Sequence, residues 1–275
     1  MQKFIFKSIA MKKLFFTLIL AATYLSLTFV SCKKTVVNND PTTGKLQINF
    51  QNYVDGSPAI FDTMIYINAA GNHYLVSDVQ YFISDVTLYK HGGNSTMIKG
   101  WVDYHYIDSQ IPSSLVWNVY DDINIGDYDS LAFHFGISSD KNITGMFVNF
   151  PEKDMSWPDV IGGGYHYMKL NGKWLDVNNI KAGFGFHLGI GQNYDSLGNV
   201  ILPFIDNSFR VSLPSSSFTI SGGVTTNINI RMNFEKWFKE PNIYDLNYWG
   251  GGIMQNQGAQ KVAAENGWNV FSFSK

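Results

Sequence analysis

Thr225 to Phe234 reads TTNINIRMNF, and its pattern decides the fold class. Ile228, Ile230, Met232 and Phe234 alternate with Asn227, Asn229, Arg231 and Asn233. Successive side chains of a strand point to opposite faces, so this period of two describes a strand with one face in a core and one in water. The same signature recurs between turn signals in KLQINF (45–50), TMIYIN (63–68), QYFISDVTLYK (80–90), KGWVDYHYID (99–108), SLAFHFGI (130–137), YHYMKLNG (165–172), GFGFHLGI (183–190) and SFRVSLP (208–214). KHGGN (90–94), LNGKW (170–174) and SLGN (196–199) carry hairpin-turn chemistry. Helical signals are few: NFEKWFKEP (233–241) reads as one turn ended by Pro241, and GIMQNQGAQKVAAENG (252–267) as a helix closed by Gly267. No strand–helix alternation appears. The expectation is an all-β protein, an antiparallel β-sandwich with short helical insertions and a short C-terminal helix.

Composition narrows the function classes. The chain has 275 residues, 16% aromatic and only 15% charged, with a net charge of −2. Such a surface offers no basic stripe to neutralise phosphates, so nucleic acid is not an expected partner. There is no Gly-x-Ser-x-Gly elbow, no His-Glu-x-x-His pair and no phosphate-cradling loop, and the acidic residues are too scattered to nominate an acid and a base. An enzyme is the weakest reading.

The N-terminus departs from the globular pattern. Lys12 and Lys13 precede an apolar run from Leu14 to Val30, and the run ends at Cys32, the sole cysteine. Residues 1–31 read as a lipoprotein signal peptide, beginning at Met1 or at Met11, with Cys32 as the lipidated residue. A transmembrane anchor competes with this, but Thr17, Thr23, Ser26 and Thr28 interrupt the run and a polar tract follows it. Residues 32–44 form a tether and 45–275 the folded domain. The expected location is the bacterial cell envelope, facing the periplasm or exposed at the surface, with the membrane engaged through the lipid.

Four histidines sit in aromatic or apolar surroundings: His105, His134, His166 and His187. If each is on a strand whose aromatic neighbours fill the core, each imidazole faces outward. Ordinary hydrogen-bonded histidines account for most such triplets. The residues two places away, on the same face, are more informative. His187 has Gly185 and Gly189, His134 has Ala132 and Gly136, and His166 has Gly164 and Met168. Small neighbours leave room for a ligand. Imidazole beside thioether suits copper, whereas calcium or magnesium would want clustered carboxylates.

The blocks DVQYFISDVTLYKHGGN, SLAFHFGISSDKNITG, DMSWPDVIGGGYHYMKLNG and FGFHLG, in that order, resemble the MbnP-like copper-binding proteins of bacterial envelopes, which are related to the MopE/CorA copper proteins. The resemblance runs from about Lys45 to the C-terminus. It implies a β-sandwich that holds copper through histidines, with a tryptophan, here Trp157, oxidised to kynurenine in some members as a further ligand. It also implies an outer-membrane transporter or a redox partner. The chain keeps Met155 and Trp157 but carries Pro158 and Asp159 where a second tryptophan falls, and it lacks the cysteine that follows the HLG block in some members. The expected metal set is His166, His187 and His134, with Met155 or Met168 as a soft donor and Trp157 beside them. The competing function is a lipid-anchored module that stacks a carbohydrate or another organic ligand on Trp101, Trp117, Trp174 or Trp249.

Overall fold

The computed structural model describes Asp40 to Lys275, except Trp101. The signal peptide, Cys32 and all but the last few residues of the tether lie outside the described residues. The protein is all-β. Its main strands are β1 (Thr43–Val54), β2 (His73–Lys90), β3 (Tyr104–Asp108), β4 (Gly126–Phe135), β5 (Met168–Leu175), β6 (Lys181–Leu188), β7 (Gly191–Tyr194), β8 (Val200–Ile205), β9 (Phe209–Leu213), β10 (Thr225–Asn233) and β11 (Phe271–Ser274). The larger sheet runs β6–β5–β2–β4–β9, with β3 also paired to β2, and the smaller sheet runs β11–β10–β1. The two inner faces close over one core. Leu46, Ile48 and Phe50 of β1 and Ile228, Ile230 and Met232 of β10 meet Tyr81, Ile83, Phe133, Phe135, Leu170 and Phe186 of the larger sheet. Cross-sheet ring pairs such as Phe133 with Phe271, 5.1 Å between centroids, mark the seam. The alternation in TTNINIRMNF is therefore a literal map of which side chains face that core.

Four expectations change. The long pairing of β1 with β10 is parallel, Lys45 opposite Thr225 through Tyr53 opposite Asn233, within a sandwich whose other ladders are antiparallel. TMIYIN supplies only the two-residue strand Tyr66–Ile67. LNGKW is no hairpin: β5 runs straight through it, with a register shift between Asn171 and Gly172. Gly172 is there because a Cβ would stand 2.1 Å from the carbonyl oxygen of Leu75. That is the close backbone approach for which strands use glycine. The true turn follows at Asp176, whose carboxylate accepts from the backbone of Asn178 and Ile180.

The C-terminal helix, α1 (Gln257–Asn266), starts on Asn256, whose side chain accepts from the Ala259 N–H. It is shorter than its sequence pattern, since residues 252–256 stay outside it. A second, smaller cluster of Phe82, Tyr106, Ile137, Met155 and Tyr165 lies outside the main core. Phe82 sits between Tyr81 and Ile83 on β2 and so points to the outer face of the larger sheet. The 136–167 connection packs over that face, and the candidate site lies where this connection returns to β5.

Candidate metal site on the outer face of the larger sheet

His187 stands on edge strand β6, between the core residues Phe186 and Leu188, so its ring faces outward as the alternation requires. Gly185, two places earlier, makes the space: a Cβ there would lie 3.1 Å from His187 Nε2. His166 arrives differently. It is in the connection just before β5, not on a strand. Gly162, Gly163 and Gly164 all have positive φ, at 126°, 69° and 75°, a run that only glycine adopts without steric cost. The chain thereby folds back so that Ser156 pairs with Tyr165 and the Trp157 N–H donates to the Gly164 carbonyl. Tyr167 and Met168 then both enter the main core, which breaks the strict alternation and turns His166 away from them.

The two imidazoles come together with ring centroids 5.2 Å apart and planes at 80°. Trp157 presents an edge-on ring to His166 at 4.7 Å. Gly189 is the space that Trp157 occupies, since a Cβ there would sit 2.5 Å from Trp157 Cε3. The indole N–H donates to the Ile161 carbonyl.

Hydrogen bonds fix which nitrogen of each ring is bare. His166 Nδ1 is 2.9 Å from the Met155 carbonyl oxygen, which also accepts from the His166 backbone N–H. A carbonyl only accepts, so Nδ1 carries the proton. Nε2 is then a lone pair, and it is buried without a partner in a residue only 4% exposed. For His187 the order is reversed. Asn171 Nδ2 donates to the Asp78 carboxylate at 2.9 Å, which orients the amide so that Asn171 Oδ1 accepts from His187 Nε2 at 2.8 Å. His187 Nδ1 is left bare. Pairing across β2, β5 and β6 puts this relay in place, with Asp78 opposite Asn171 and Asn171 opposite Gly185.

Electrostatics keep both rings neutral. Burial lowers His166 to about 3, assisted by the charges of Lys169 and protonated His187. Burial first, and Lys169 second, lowers His187 to about 4. Lys169 sits opposite His187 on β5 and donates to the Asp154 carbonyl; its own pKa is lowered by burial. Two neutral imidazoles with bare nitrogens, each oriented by a fixed acceptor, are the ligand form that a transition metal takes. Metal–nitrogen bonds of about 2 Å put two rings on one ion roughly 5–6 Å apart, which the 5.2 Å separation fits. A cleft of about 580 Å³ reaches His187 from solvent, lined also by Pro158, Val160, Ile161, Gly185 and Met254.

The remaining expected donors lie elsewhere. His134 is on β4, bonded through Nε2 to Ser208 Oγ at 2.7 Å. Two strands separate β4 from β6, and three strand spacings of about 4.8 Å put it out of reach of one metal shared with His187. The Met168 thioether is in the main core, on the opposite face of the sheet from His187. The Met155 thioether packs with Phe82, Tyr106, Ile137 and Tyr165, so this residue brings its carbonyl to the site and not its sulfur. Among the described residues, no three of His, Cys, Asp and Glu group as a metal site.

The second-layer residues Asn171 and Asp78 were not singled out by the sequence pattern, although their parity on β5 and β2 is the available signal. His105 faces inward, stacked 4.9 Å from Trp117 and 5.4 Å from Phe50, because here the flanking Tyr104 and Tyr106 pack on the outer cluster instead of the main core. Trp117 and Trp174 are buried and Trp249 is half-buried and stacked on Tyr244, while Trp101 lies outside the described residues.

A family model described as MbnP matches residues 43–255. The chain belongs to the MbnP family. Among solved structures it is similar to MbnP from Methylosinus trichosporium, with a TM-score of 0.55 and 14% identity, over 84% of this chain and 98% of that one. At that identity the likeness is one of fold. No curated protein matches the chain. The MbnP family match includes β1 through Gln255, and so spans His166, His187, Trp157 and the cleft.

Proposed function

We propose that this MbnP-family protein binds copper in the bacterial cell envelope, holding the ion through His166 Nε2 and His187 Nδ1 and serving copper handling or sequestration, with no turnover of its own. The single observation that carries this reading is the buried, unpartnered Nε2 of His166 in a ring whose centroid lies 5.2 Å from that of a second neutral imidazole. A buried polar atom without a partner costs about 1–3 kcal/mol, and a metal ion on this nitrogen would relieve that cost. Trp157, itself buried, packs edge-on against His166. The proposal includes anchoring through a lipid on Cys32 and delivery to or from an outer-membrane transporter or redox partner.

The test is copper retention after dialysis against Cu(I) under reducing conditions. The wild-type protein retains one equivalent, and His187→Ala retains none while keeping the far-UV spectrum and melting temperature of the metal-free protein. If His187→Ala retains copper as the wild type does, the imidazole pair is not the site. If it unfolds with no change in metal content per folded molecule, His187 is a structural residue.

A further inference from the structure

The segment after β10 that reaches α1 passes directly alongside edge strand β6. Gly185 bridges Gly252 in a parallel register, and the Gly185 N–H donates to the Gly251 carbonyl at 2.6 Å. Two residues beyond that isolated bridge on each side are His187 and Met254, and both line the cleft. A buried clamp holds this arrangement: Gln260 Nε2 donates to the His187 carbonyl at 2.7 Å and to the Ile253 carbonyl at 3.2 Å. Ile253 is buried in the main core, and Met254, the next residue, is part-exposed and lines the cleft with His187. A flexible thioether thus opens onto the same cleft as His187, and Trp157 is not part of that lining.

We infer that Met254 is the third ligand of the His166–His187 site, and that its sulfur makes the site select Cu(I) over Cu(II). This rests on the reading of the two histidines as copper ligands. Thioether sulfur is a soft donor that favours Cu(I), whereas a site of imidazoles alone serves either oxidation state. The ammonium of Lys169, opposite His187 on the neighbouring strand, acts in the same direction. A positive charge beside an all-neutral ligand set opposes a doubly charged ion twice as strongly as a singly charged one. The chemistry is coordination only: the sulfur donates a lone pair, no bond breaks, and no proton is released.

The experiment uses the full-length protein loaded with one equivalent of Cu(I), without a histidine tag. X-ray absorption of the wild type is expected to show two nitrogen scatterers and one sulfur, and Met254→Leu is expected to lose the sulfur. Competition against a coloured Cu(I) chelator is expected to show Met254→Leu weakened on the order of 10–100-fold, the range for losing one supporting interaction at a metal site. Cu(II) affinity is expected to change by less than about threefold, since the sulfur contributes little to that state. A wild-type spectrum with nitrogen scatterers alone and an unchanged Met254→Leu affinity overturns the inference and leaves the histidine pair standing. A wild type that takes up no Cu(I) overturns both. The wild-type spectrum decides the point even if Met254→Leu fails to fold.

Discussion

Asn171→Leu is the substitution that separates orientation of a ligand from the ligand itself. It removes the acceptor of the His187 Nε2–H and the donor to Asp78 while leaving both imidazoles in the chain. Leucine is close in volume, so β5 and its pairing to β2 and β6 persist. Two polar groups lose a partner, and a buried group left unsatisfied costs about 1–3 kcal/mol. Asp78, Asn171 and His187 are all half-buried, and water replaces part of the loss, so the stability cost falls at the low end, about 1 kcal/mol. Copper affinity falls more. With Nε2–H unanchored, the His187 ring is free to rotate and exchange tautomers, and the bare Nδ1 is no longer presented. Removing such an orienting partner costs about 10–100-fold in metal affinity. That corresponds to about 1.4–2.7 kcal/mol. The assays are the urea midpoint of the metal-free protein and a Cu(I) chelator competition on the same preparations. An Asn171→Leu protein that binds Cu(I) within twofold of wild type would refute the relay from Asp78 through Asn171 to His187.

Three further outcomes are expected. Cys32→Ser moves the protein from the membrane fraction to the soluble one; a variant that stays in the membrane with its leader uncleaved marks residues 14–30 as a spanning segment. Burial lowers His105 to about 4, so the unfolded chain takes up a proton near pH 6.5 that the folded one refuses, and this contribution to stability, whole above pH 6.5, is lost as pH falls toward 4. The urea midpoint therefore drops between pH 7 and pH 4.5, and His105→Phe flattens that slope; an equal slope in the variant contradicts the assignment. Gly189→Ala drives a methyl to within 2.5 Å of the Trp157 ring and destabilises by about 1–3 kcal/mol, read as a lower melting temperature with loss of the buried Trp157 fluorescence; an unchanged melting curve contradicts the packing.

The sandwich was legible because its core-facing strands obey one rule. In β10, Ile228, Ile230 and Met232 point inward as their spacing states, and the same holds for Phe133 and Phe135 around His134 and for Phe186 and Leu188 around His187. Pairing partners were not legible. Nothing in TTNINIRMNF announces that it lies parallel to KLQINF, because alternation specifies a face and leaves the neighbour open. LNGKW misled because a glycine needed for close approach inside a strand has the same spelling as a turn glycine.

The candidate site divides in the same way. His187 was readable from strand parity and the cleared Gly185, and the glycines before His166 signalled an unusual backbone. The thioether donors were not readable. Parity placed Met168 beside His166, but the turn through Gly162–Gly164 ends only at β5, so the parity rule fails across that junction. Met254 was hidden by a helical pattern that begins five residues later than the sequence suggests, at Gln257 rather than Gly252. The His134 ring has small neighbours for a different reason: its face of the sheet meets Ser208, and a Cβ at Gly136 would collide with Tyr167 at 2.6 Å.

Nitrogen-15 NMR of the histidine side chains reads directly whether copper meets His166 Nε2 and His187 Nδ1. In the metal-free protein His166 is expected to carry its proton on Nδ1 and His187 on Nε2, both rings neutral at pH 7. One equivalent of Cu(I), or of Ag(I) as its redox-inert stand-in, should then shift His166 Nε2 and His187 Nδ1 and leave His105 and His134 unmoved. Opposite tautomers in the metal-free protein, or a metal-induced shift at His134 with none at His166 and His187, would contradict this assignment.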